Sequence, residues 1–389
     1  MFSVARAVLS APEVLRARPR VNAFLCRYLR RFTPVDVGGK IFIHSHLPPL
    51  NSQAYRRFVR EHLLAKSPGP SHAQIGVTNV CPQNCPYCYN RGRGGTPLCT
   101  ETILDTVRQL QEMGVFWIGL TGGEPLLNVD LPRVIRAIGR GSASKLFTTG
   151  ASLTPELVRG LGDAGLDSVS VSLDHWSEEE HDRARDSQGA YRGALRAIDL
   201  FLGDGRIHVG VSAVFSRAML NPAAVGRYLE FVSSLGVHEA WLSETKPMPG
   251  AARDGVVTGA EREMLIATQD SWNARGGMTV NYLGHFEDAR YFGCTAGNKM
   301  VYVDAFGEVS PCVFIPMSFG NVRERPLREI YMDMKLRFPM EERCFINRNA
   351  GALASHTGAN GPIPREASEA ILDALEFDPM PGFFSLLYR

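Results

Sequence analysis

Short apolar runs alternate with amphipathic segments between residues 73 and 276 of this chain. The apolar runs have the length of buried strands, and the segments between them have apolar residues at helical spacing, which is typical of repeated βα units. Six strands are predicted, at residues 73–78, 115–120, 145–149, 167–173, 207–215 and 238–242. The pattern predicts an α/β fold, either a parallel βα barrel or an open sheet, with too few units for a closed eight-stranded barrel.

Helix boundaries between these strands carry clear signals. Thr154 and Pro155 match an N-cap followed by a first-turn proline, and Gly165 matches a helix end. Asn221 and Gly236 bound a second helix in the same way. Each of these glycines leads directly into a predicted strand, as parallel βα architecture requires.

The remaining segments differ in pattern from this core. Residues 301–310 predict a β-hairpin and residues 326–337 a helix, whereas 350–365 are rich in Ala, Gly, Asn and Pro and predict a linker. A last helix is predicted at 365–377, followed by an apolar tail that can pack on the body of the protein: Phe383, Phe384, Leu386 and Leu387. The predicted organisation is a helical, Arg-rich extension at 1–72, a core at 73–276, a small hairpin-and-helix domain at 277–349 and a linker, helix and tail at 350–389.

Composition restricts the class of protein. The 389 residues are 44% hydrophobic and 21% charged, with a net charge of +2, which is typical of a folded globular protein and excludes disordered, collagen-like and coiled-coil chains. No run approaches the roughly 18–20 apolar residues of a membrane span, and Arg6 interrupts the apolar start, so neither a span nor a cleaved signal is expected. A cytoplasmic location is predicted.

Positive charge is concentrated at the N-terminus. Residues 1–33 contain seven arginines and one acidic residue, Glu13. Apolar residues interleave with these arginines at near-helical spacing: Val14, Leu15, Val21, Leu25 and Leu29. The segment could be an amphipathic helix on an anionic membrane or an acidic partner, but a helix packed on its own protein with solvated arginines is favoured.

Three cysteines directly follow the first predicted strand. Cys81, Cys85 and Cys88 fall within eight residues, and in a chain without an expected export signal this indicates a metal site rather than disulfides. Three thiolates can hold three irons of a 4Fe-4S cluster and leave the fourth iron open to another ligand. Pro82 and Pro86 disfavour helix and suit a loop around such a cluster. A zinc knuckle is the alternative.

The second predicted strand ends in a glycine-rich turn. Gly122 and Gly123 allow backbone groups to approach a ligand with no Cβ in the way. Glu124, which precedes Pro125, offers an anionic acceptor suited to an ammonium group. The turn and the cysteine loop leave neighbouring strands at the same edge of the sheet, where parallel βα proteins bind their ligands.

Together, these motifs closely resemble those of the radical S-adenosylmethionine (SAM) superfamily, including the aromatic Tyr87 before the last cysteine of the loop. The resemblance covers about residues 73–250 and implies a partial (βα)6 TIM-like barrel. It implies that the open iron chelates SAM, that the Gly-Gly-Glu-Pro turn holds the methionine ammonium, and that one-electron reduction gives methionine and a 5′-deoxyadenosyl radical that abstracts a substrate hydrogen.

The same resemblance assigns further contacts to SAM. By position, Ser172, Asp174 and Arg185 match where the family contacts its ribose and carboxylate. The third strand departs from the family pattern, because it ends in Thr148 and Thr149 where Asn-Gly is frequent.

The C-terminal segment resembles the auxiliary-cluster domains called SPASM and twitch. Cys294, Gly307 and Cys312 have the spacing of the start of SPASM, and Cys344 follows, but the usual later run of cysteines is absent. The resemblance implies a second 4Fe-4S cluster with three cysteine ligands and either a non-cysteine fourth ligand or an open iron. The alternative is that these are buried structural thiols.

Four other cysteine and histidine residues have weaker signals as metal ligands. Cys26 lies on the apolar side of an N-terminal helix and is expected in the protein core. Cys99 is expected to have no role, although it could be a fourth ligand of the auxiliary cluster. His44 and His46 are expected on one face of a short strand, in a structural role.

The sequence therefore predicts a radical SAM enzyme with a reductant such as flavodoxin or ferredoxin. The first substrate class is a peptide, protein or small natural product. A peripheral membrane enzyme acting on a lipid or isoprenoid is the second reading, and a non-catalytic iron–sulfur or zinc scaffold is the third. No nucleic-acid substrate is expected, because the chain has no interleaved basic and aromatic platform.

Overall fold

A mainly parallel sheet forms the centre of the protein in a computed structural model that describes residues 2–248, 256–354, 356 and 361–388. The strands are β1 Val35–Val37, β2 Lys40–Phe42, β3 His72–Thr78, β4 Trp117–Gly122, β5 Ala143–Thr148, β6 Ser168–Ser172, β7 His208–Phe215, β8 Glu239–Glu244, β9 Thr279–Tyr282, β10 Met300–Val303 and β11 Val309–Ser310. Nine of them form one sheet in the order β11-β10-β3-β4-β5-β6-β7-β8-β9, and β1 pairs with β2 separately. The six predicted strands correspond to β3–β8, which confirms the α/β fold with a partial parallel barrel.

Helices connect these strands. They are α1 Phe2–Ser10, α2 Pro19–Leu29, α3 Gln53–Arg57, α4 Thr100–Glu112, α5 Leu131–Ile138, α6 Pro155–Ala164, α7 Glu178–Arg185, α8 Ala190–Asp204, α9 Pro222–Ser234, α10 Gly259–Arg275, α11 Leu283–Phe286, α12 Leu327–Arg337, α13 Phe345–Ala354, α14 Arg365–Asp373 and α15 Gly382–Tyr388. The predicted caps are present: the Thr154 side chain accepts from Leu157 N at 3.2 Å, and that of Asn221 accepts from Ala224 N at 2.9 Å.

The segment after residue 276 extends the sheet at both edges, which the sequence did not predict. Strand β9 pairs in parallel with β8, and β10 pairs in parallel with β3, with Val301 opposite Ala73. The predicted hairpin is β10 with β11, and its Gly307 turn has a φ of +91°. The small C-terminal unit is therefore continuous with the barrel sheet, because its first hairpin strand satisfies the free edge of β3.

The C-terminal part also differs from the predicted linker. Helix α13 continues to Ala354, so the first residues of the 350–365 segment are helical. Residues 355 and 357–360 of that segment lie outside the described residues. The apolar tail forms α15, and Phe383, Phe384 and Leu387 are buried against the N-terminal helices, as expected.

The N-terminal extension packs on the barrel. Arg31 forms an ion pair with Asp270 at 2.8 Å, and Ser45 O accepts from Trp117 Nε1 at 2.8 Å at the amino end of β4. Val14, Val21 and Leu29 are buried, which agrees with the favoured packed helix, while Leu15 remains 63% exposed. The extension thus closes the amino-terminal end of the barrel and leaves the carboxyl ends of the strands for a site.

Candidate active site

The first cysteine loop leaves the carboxyl end of β3 and is fixed to the end of α7. Asn84 N donates to Arg185 O at 3.2 Å, and the Cys85 thiol donates to the same oxygen at 3.7 Å. Cys88 N donates to Cys85 O at 3.2 Å, which turns the loop back on itself. Cys81, Cys85 and Cys88 all line one cavity of about 460 Å³.

The three thiols form a donor set that fits an iron–sulfur cluster. Burial, together with nearby Glu124, Cys85 and Cys88, raises the pKa of Cys81 to about 11, so the metal-free thiol is neutral. Binding to iron removes that proton outright. Within the described residues, no three His, Cys, Asp or Glu side chains are grouped to hold a single metal ion. A cluster requires one thiolate for each of three irons, and the loop offers three free cysteines.

The paired glycines bring the second strand against this loop. A Cβ on Gly122 would lie 2.2 Å from Thr78 O, and one on Gly123 would lie 2.3 Å from Val80 O. Gly122 also has a φ of +121°, which disfavours any other residue. Gly123 N donates to Thr78 O at 2.7 Å. The glycines are therefore needed to hold the start of the cysteine loop beside the end of β4, and both line the cavity.

Glu124 lies beside the cavity and is not among the residues that line it. Its side chain is fully buried, and it accepts from Thr148 Oγ1 at 2.6 Å, Thr149 N at 2.6 Å and Leu126 N at 3.0 Å. The carboxylate therefore ties the turn to the end of β5, and its expected contact with an ammonium group stays a prediction. Pro125 is also buried, where it opens the short helix that follows. Thr148 and Thr149, which depart from the family pattern, supply the hydroxyl donors.

Asp174, Arg185 and Tyr87 form a buried network behind the loop. Arg185 Nη2 donates to Asp174 Oδ1 at 2.8 Å, and the Tyr87 hydroxyl donates to Asp174 Oδ2. Val214 N donates to Asp174 Oδ1 at 2.9 Å. Ser172, Arg185 and Tyr87 line the cavity, whereas Asp174 does not. Asp174 thus orients its neighbours, and its expected contact with SAM stays a prediction.

The three C-terminal cysteines open on the same cavity. Cys294 forms a short antiparallel bridge with Glu341, through Cys294 N to Glu341 O at 2.7 Å. The Cys312 sulfur accepts from Phe314 N at 3.3 Å, and Cys344 immediately precedes α13. Burial raises the pKa of Cys312 to about 12. The geometry brings the two cysteine groups, which are 206 residues apart between Cys88 and Cys294, to one space.

The other candidate ligands belong to neither cysteine group, although His44 and His46 line the cavity. Cys99 is exposed at the start of α4, and Cys26 is half-buried on α2; neither lines the cavity. Strand β2 ends at Phe42, so His44 and His46 are not on a strand, and that prediction was wrong. Instead the His46 ring stacks on Trp241, with ring centroids 3.7 Å apart. His44 Nε2 forms a hydrogen bond with the Tyr28 hydroxyl at 3.0 Å, and both contacts support a structural role.

Comparisons with known proteins agree with this arrangement. The model of the Radical SAM superfamily matches residues 75–215, and that of an iron-sulfur cluster-binding domain, SPASM, matches residues 294–349. The chain belongs to the radical SAM superfamily. It is an enzyme of that family, so the reading as a non-catalytic scaffold is wrong. The cofactors of this radical SAM enzyme are a 4Fe-4S cluster, SAM and auxiliary iron–sulfur in the SPASM domain.

Several relatives resemble this radical SAM enzyme over most of its length. The AdoMet-dependent heme synthase of Methanosarcina barkeri is 26% identical over 310 residues, which are 72% of this chain and 88% of the relative. The PqqA peptide cyclase of Rhizobium meliloti is 29% identical over 273 residues, 66% of this chain and 72% of the relative. Streptococcus suis SuiB bound to precursor peptide SuiA has the same fold, with a TM-score of 0.60, 15% identity and coverage of 80% and 79%.

A buried charged group that sequence reasoning missed lies beside the auxiliary cysteines. Lys246 Nζ lies 3.1 Å from Glu244 Oε1, 2.5 Å from Glu287 Oε2 and 3.5 Å from Cys344 Sγ. Burial lowers the pKa of Lys246, but Cys344, Glu287 and Glu244 outweigh this and raise it well above its usual value. The position of Lys246 two residues after β8 was the one available signal, because strand ends in this fold carry site residues.

Much of the remaining cavity surface is apolar and aromatic. Trp117, Phe147, Trp241 and Phe286 line it on the side of the barrel interior. Among the described helices, none combines the length and the hydropathy that crossing a membrane requires.

Proposed function

We propose that this radical SAM enzyme modifies a peptide, with SAM bound at the first cysteine loop and the substrate between the two cysteine groups. One observation carries the proposal: Cys81, Cys85, Cys88, Cys294, Cys312 and Cys344 all line the same cavity. A substrate in that cavity can reach both a hydrogen-abstracting group and an auxiliary cluster. Two of the comparisons support the peptide class, since a PqqA peptide cyclase and a peptide-bound SuiB are similar to the chain.

In this proposal each group of cavity-lining residues has its own role. Cys81, Cys85 and Cys88 hold the first cluster, while Gly122 and Gly123 present backbone groups to SAM. When bound, the cluster and SAM supply a carbon-centred radical that abstracts hydrogen from a C–H bond. Ser172, Tyr87 and Arg185 complete the wall on the SAM side, and Cys294, Cys312 and Cys344 hold the auxiliary cluster. A flavodoxin or ferredoxin supplies the electron, which suits a reducing cytoplasm.

The experiment uses short peptides encoded beside the gene. Each is incubated anaerobically with the iron-loaded enzyme, SAM and a reductant, and its mass is measured together with 5′-deoxyadenosine. The proposal expects a mass change of a peptide that requires SAM and is lost in the Cys294→Ala, Cys312→Ala, Cys344→Ala variant. Modification of small natural products, with every adjacent peptide unchanged, would contradict the peptide class and leave the radical chemistry in place.

A second candidate, contact with an anionic membrane, rests on the surface of the N-terminal helices. Arg6, Arg16, Arg18, Arg20, Arg27 and Arg30 are exposed. Leu9 and Leu15 are 80% and 63% exposed in the same segment. Exposed leucines among arginines match what an anionic lipid surface binds.

Point substitutions test this contact better than deletion, because Val14 and Val21 of the segment belong to a buried cluster. Leu9→Ser with Leu15→Ser should reduce co-sedimentation with phosphatidylserine vesicles at low salt. Leu336→Ser is the matched control, since Leu336 is 84% exposed on α12. If the unsubstituted enzyme does not sediment with these vesicles, or if the control has the same effect, the membrane reading is wrong.

A further inference from the structure

Lys246 is held in one orientation at the edge of the auxiliary site. An ammonium group has three N–H donors and no acceptor. Its nitrogen has three acceptors within reach, the carboxylates of Glu244 and Glu287 and the sulfur of Cys344. The side chain is 1% exposed, so water does not compete for these donors. One donor of Lys246 is therefore directed at a cysteine sulfur.

Glu244 has three further hydrogen-bond donors besides Lys246. Glu244 also accepts from Arg262 at 2.9 Å, from the Tyr282 hydroxyl at 2.5 Å and from Asn347 at 3.1 Å. Glu244 thus lies between two cations, Lys246 and Arg262. The contact with the sulfur is the third contact of the lysine, beside those with Glu244 and Glu287. Such a donor suits a sulfur that carries negative charge, as a metal-bound thiolate does.

We propose that Lys246 donates a charged hydrogen bond to the sulfur of Cys344 and thereby raises the reduction potential of the auxiliary cluster. This inference rests on the proposed ligation of that cluster by Cys294, Cys312 and Cys344. Reduction adds negative charge to a cluster, and a hydrogen bond or positive charge at a ligand sulfur stabilises the reduced form more than the oxidised form. Lys246 is a positioning and tuning residue here and does not touch the substrate.

Two acidic residues on separate elements hold the Lys246 side chain in position beside Cys344. Glu244 is on β8, Glu287 follows α11, and Cys344 precedes α13, so three separate elements meet at one ammonium group. Both acidic residues line the cavity, where Glu244 is fully buried and Glu287 is half-buried. Lys246 contacts an acidic side chain on each of two elements. If its side chain rotated away from the sulfur, it would lose an ion pair in a site of low polarity.

The test measures the potential of the auxiliary cluster alone. In a full-length background with Cys81, Cys85 and Cys88 replaced by alanine, all remaining iron is auxiliary. EPR-monitored redox titration is then run on this parent and on its Lys246→Met and Lys246→Arg derivatives. Lys299→Met is the matched control, because Lys299 is 5% exposed and lines the same cavity but donates to the backbone oxygens of Ser67 and Gly69.

The inference expects a lower potential in Lys246→Met, recovery towards the parent value in Lys246→Arg, and no shift in Lys299→Met. Equal potentials in Lys246→Met and the parent would overturn it and leave the proposed auxiliary cluster intact. A parent that binds no iron would overturn the cluster itself, and the inference with it.

A second measurement applies if Lys246→Met fails to retain its cluster. Resonance Raman spectra of the parent are recorded in H2O and in D2O, where a hydrogen bond to a ligand sulfur shifts the iron–cysteine stretching bands. The shift is expected in the parent and should be smaller in Lys246→Gln. Identical bands in the two solvents would show that no exchangeable donor reaches the sulfur, which contradicts the inference.

Discussion

Asp174 holds Arg185 against the back of the cysteine loop: Arg185 Nη2 donates to Asp174 Oδ1, and Arg185 Nε lies 2.8 Å from Asp174 Oδ2. The backbone oxygen of Arg185 in turn accepts a hydrogen bond from Asn84 N at 3.2 Å. The carboxylate after β6 therefore positions the loop after β3 through one arginine. Both side chains are under 10% exposed, so the pair is not screened by water.

Replacing Asp174 by asparagine leaves the buried Arg185 without its counter-charge. Loss of one partner of a buried ion pair costs about 3–5 kcal/mol, so the free energy of unfolding should fall on that scale. Iron binding by the first loop should fall as well, because the loop loses its support. Denaturant unfolding and iron analysis measure the two effects.

Asp163→Asn serves as the control for that change, since Asp163 pairs with Arg206 on the surface, where the side chains are 66% and 47% exposed. It should change neither stability nor iron content appreciably. An Asp174→Asn protein as stable and as iron-rich as the control would mean that the buried pair does not support the loop.

Gly123→Ala tests the close approach of β4 to the cysteine loop. The new Cβ would meet Val80 O at 2.3 Å, so the backbone leading to Cys81 must move. We expect SAM cleavage to fall at least tenfold, which corresponds to about 1.4 kcal/mol. Gly160→Ala, within α6 and with no atom within 4 Å of the new Cβ, should be neutral or slightly stabilising. Equal SAM cleavage by both variants would rule out the packing role of Gly123.

The pH dependence of stability follows from buried histidines. Burial lowers the pKa of His44, His62, His72 and His181 to about 4, below the value near 6.5 of an unfolded chain. The unfolded state therefore binds more protons between about pH 6.5 and pH 4, and stability falls as the pH falls through this window.

Thermal unfolding of the iron-free protein from pH 8 to pH 5 measures this effect. The melting temperature should decline as the pH falls below 7. His62→Gln should decline less steeply, because one proton-binding group is removed from the unfolded state. A melting temperature that is flat or rises between pH 7 and pH 5 would contradict the burial of these rings.

The auxiliary cysteines allow a clean separation of the two proposed clusters. Two 4Fe-4S clusters give about eight irons per chain, and replacing Cys294, Cys312 and Cys344 by alanine should leave about four. SAM cleavage without substrate should persist in this variant, because the first loop is unchanged, while product formation is lost. An unchanged iron content would identify the three residues as structural thiols.

The parallel core and the position of the first cysteine loop could be predicted from the sequence. The spacing of apolar residues and the helix-capping residues that indicate them are local signals, which extend over only a few positions. The pairing of β10 with β3 could not be predicted, since these short strands are 228 residues apart between His72 and Met300. The hydrogen-bond partners of Glu124 could not be predicted for a related reason. A motif identifies the carboxylate, but only the fold shows that Thr148 and Thr149 engage it. Lys246 was missed because Glu287 and Cys344 reach it from distant segments.

The most direct test of the account is reductive cleavage of SAM. The anaerobically iron-loaded enzyme is mixed with SAM and dithionite, and 5′-deoxyadenosine is measured for the unsubstituted chain and for the variant with Cys81, Cys85 and Cys88 replaced by alanine. The account predicts 5′-deoxyadenosine from the former and none from the latter, because no other described cysteine group adjoins the Gly122 turn. Equal amounts from both proteins would contradict it.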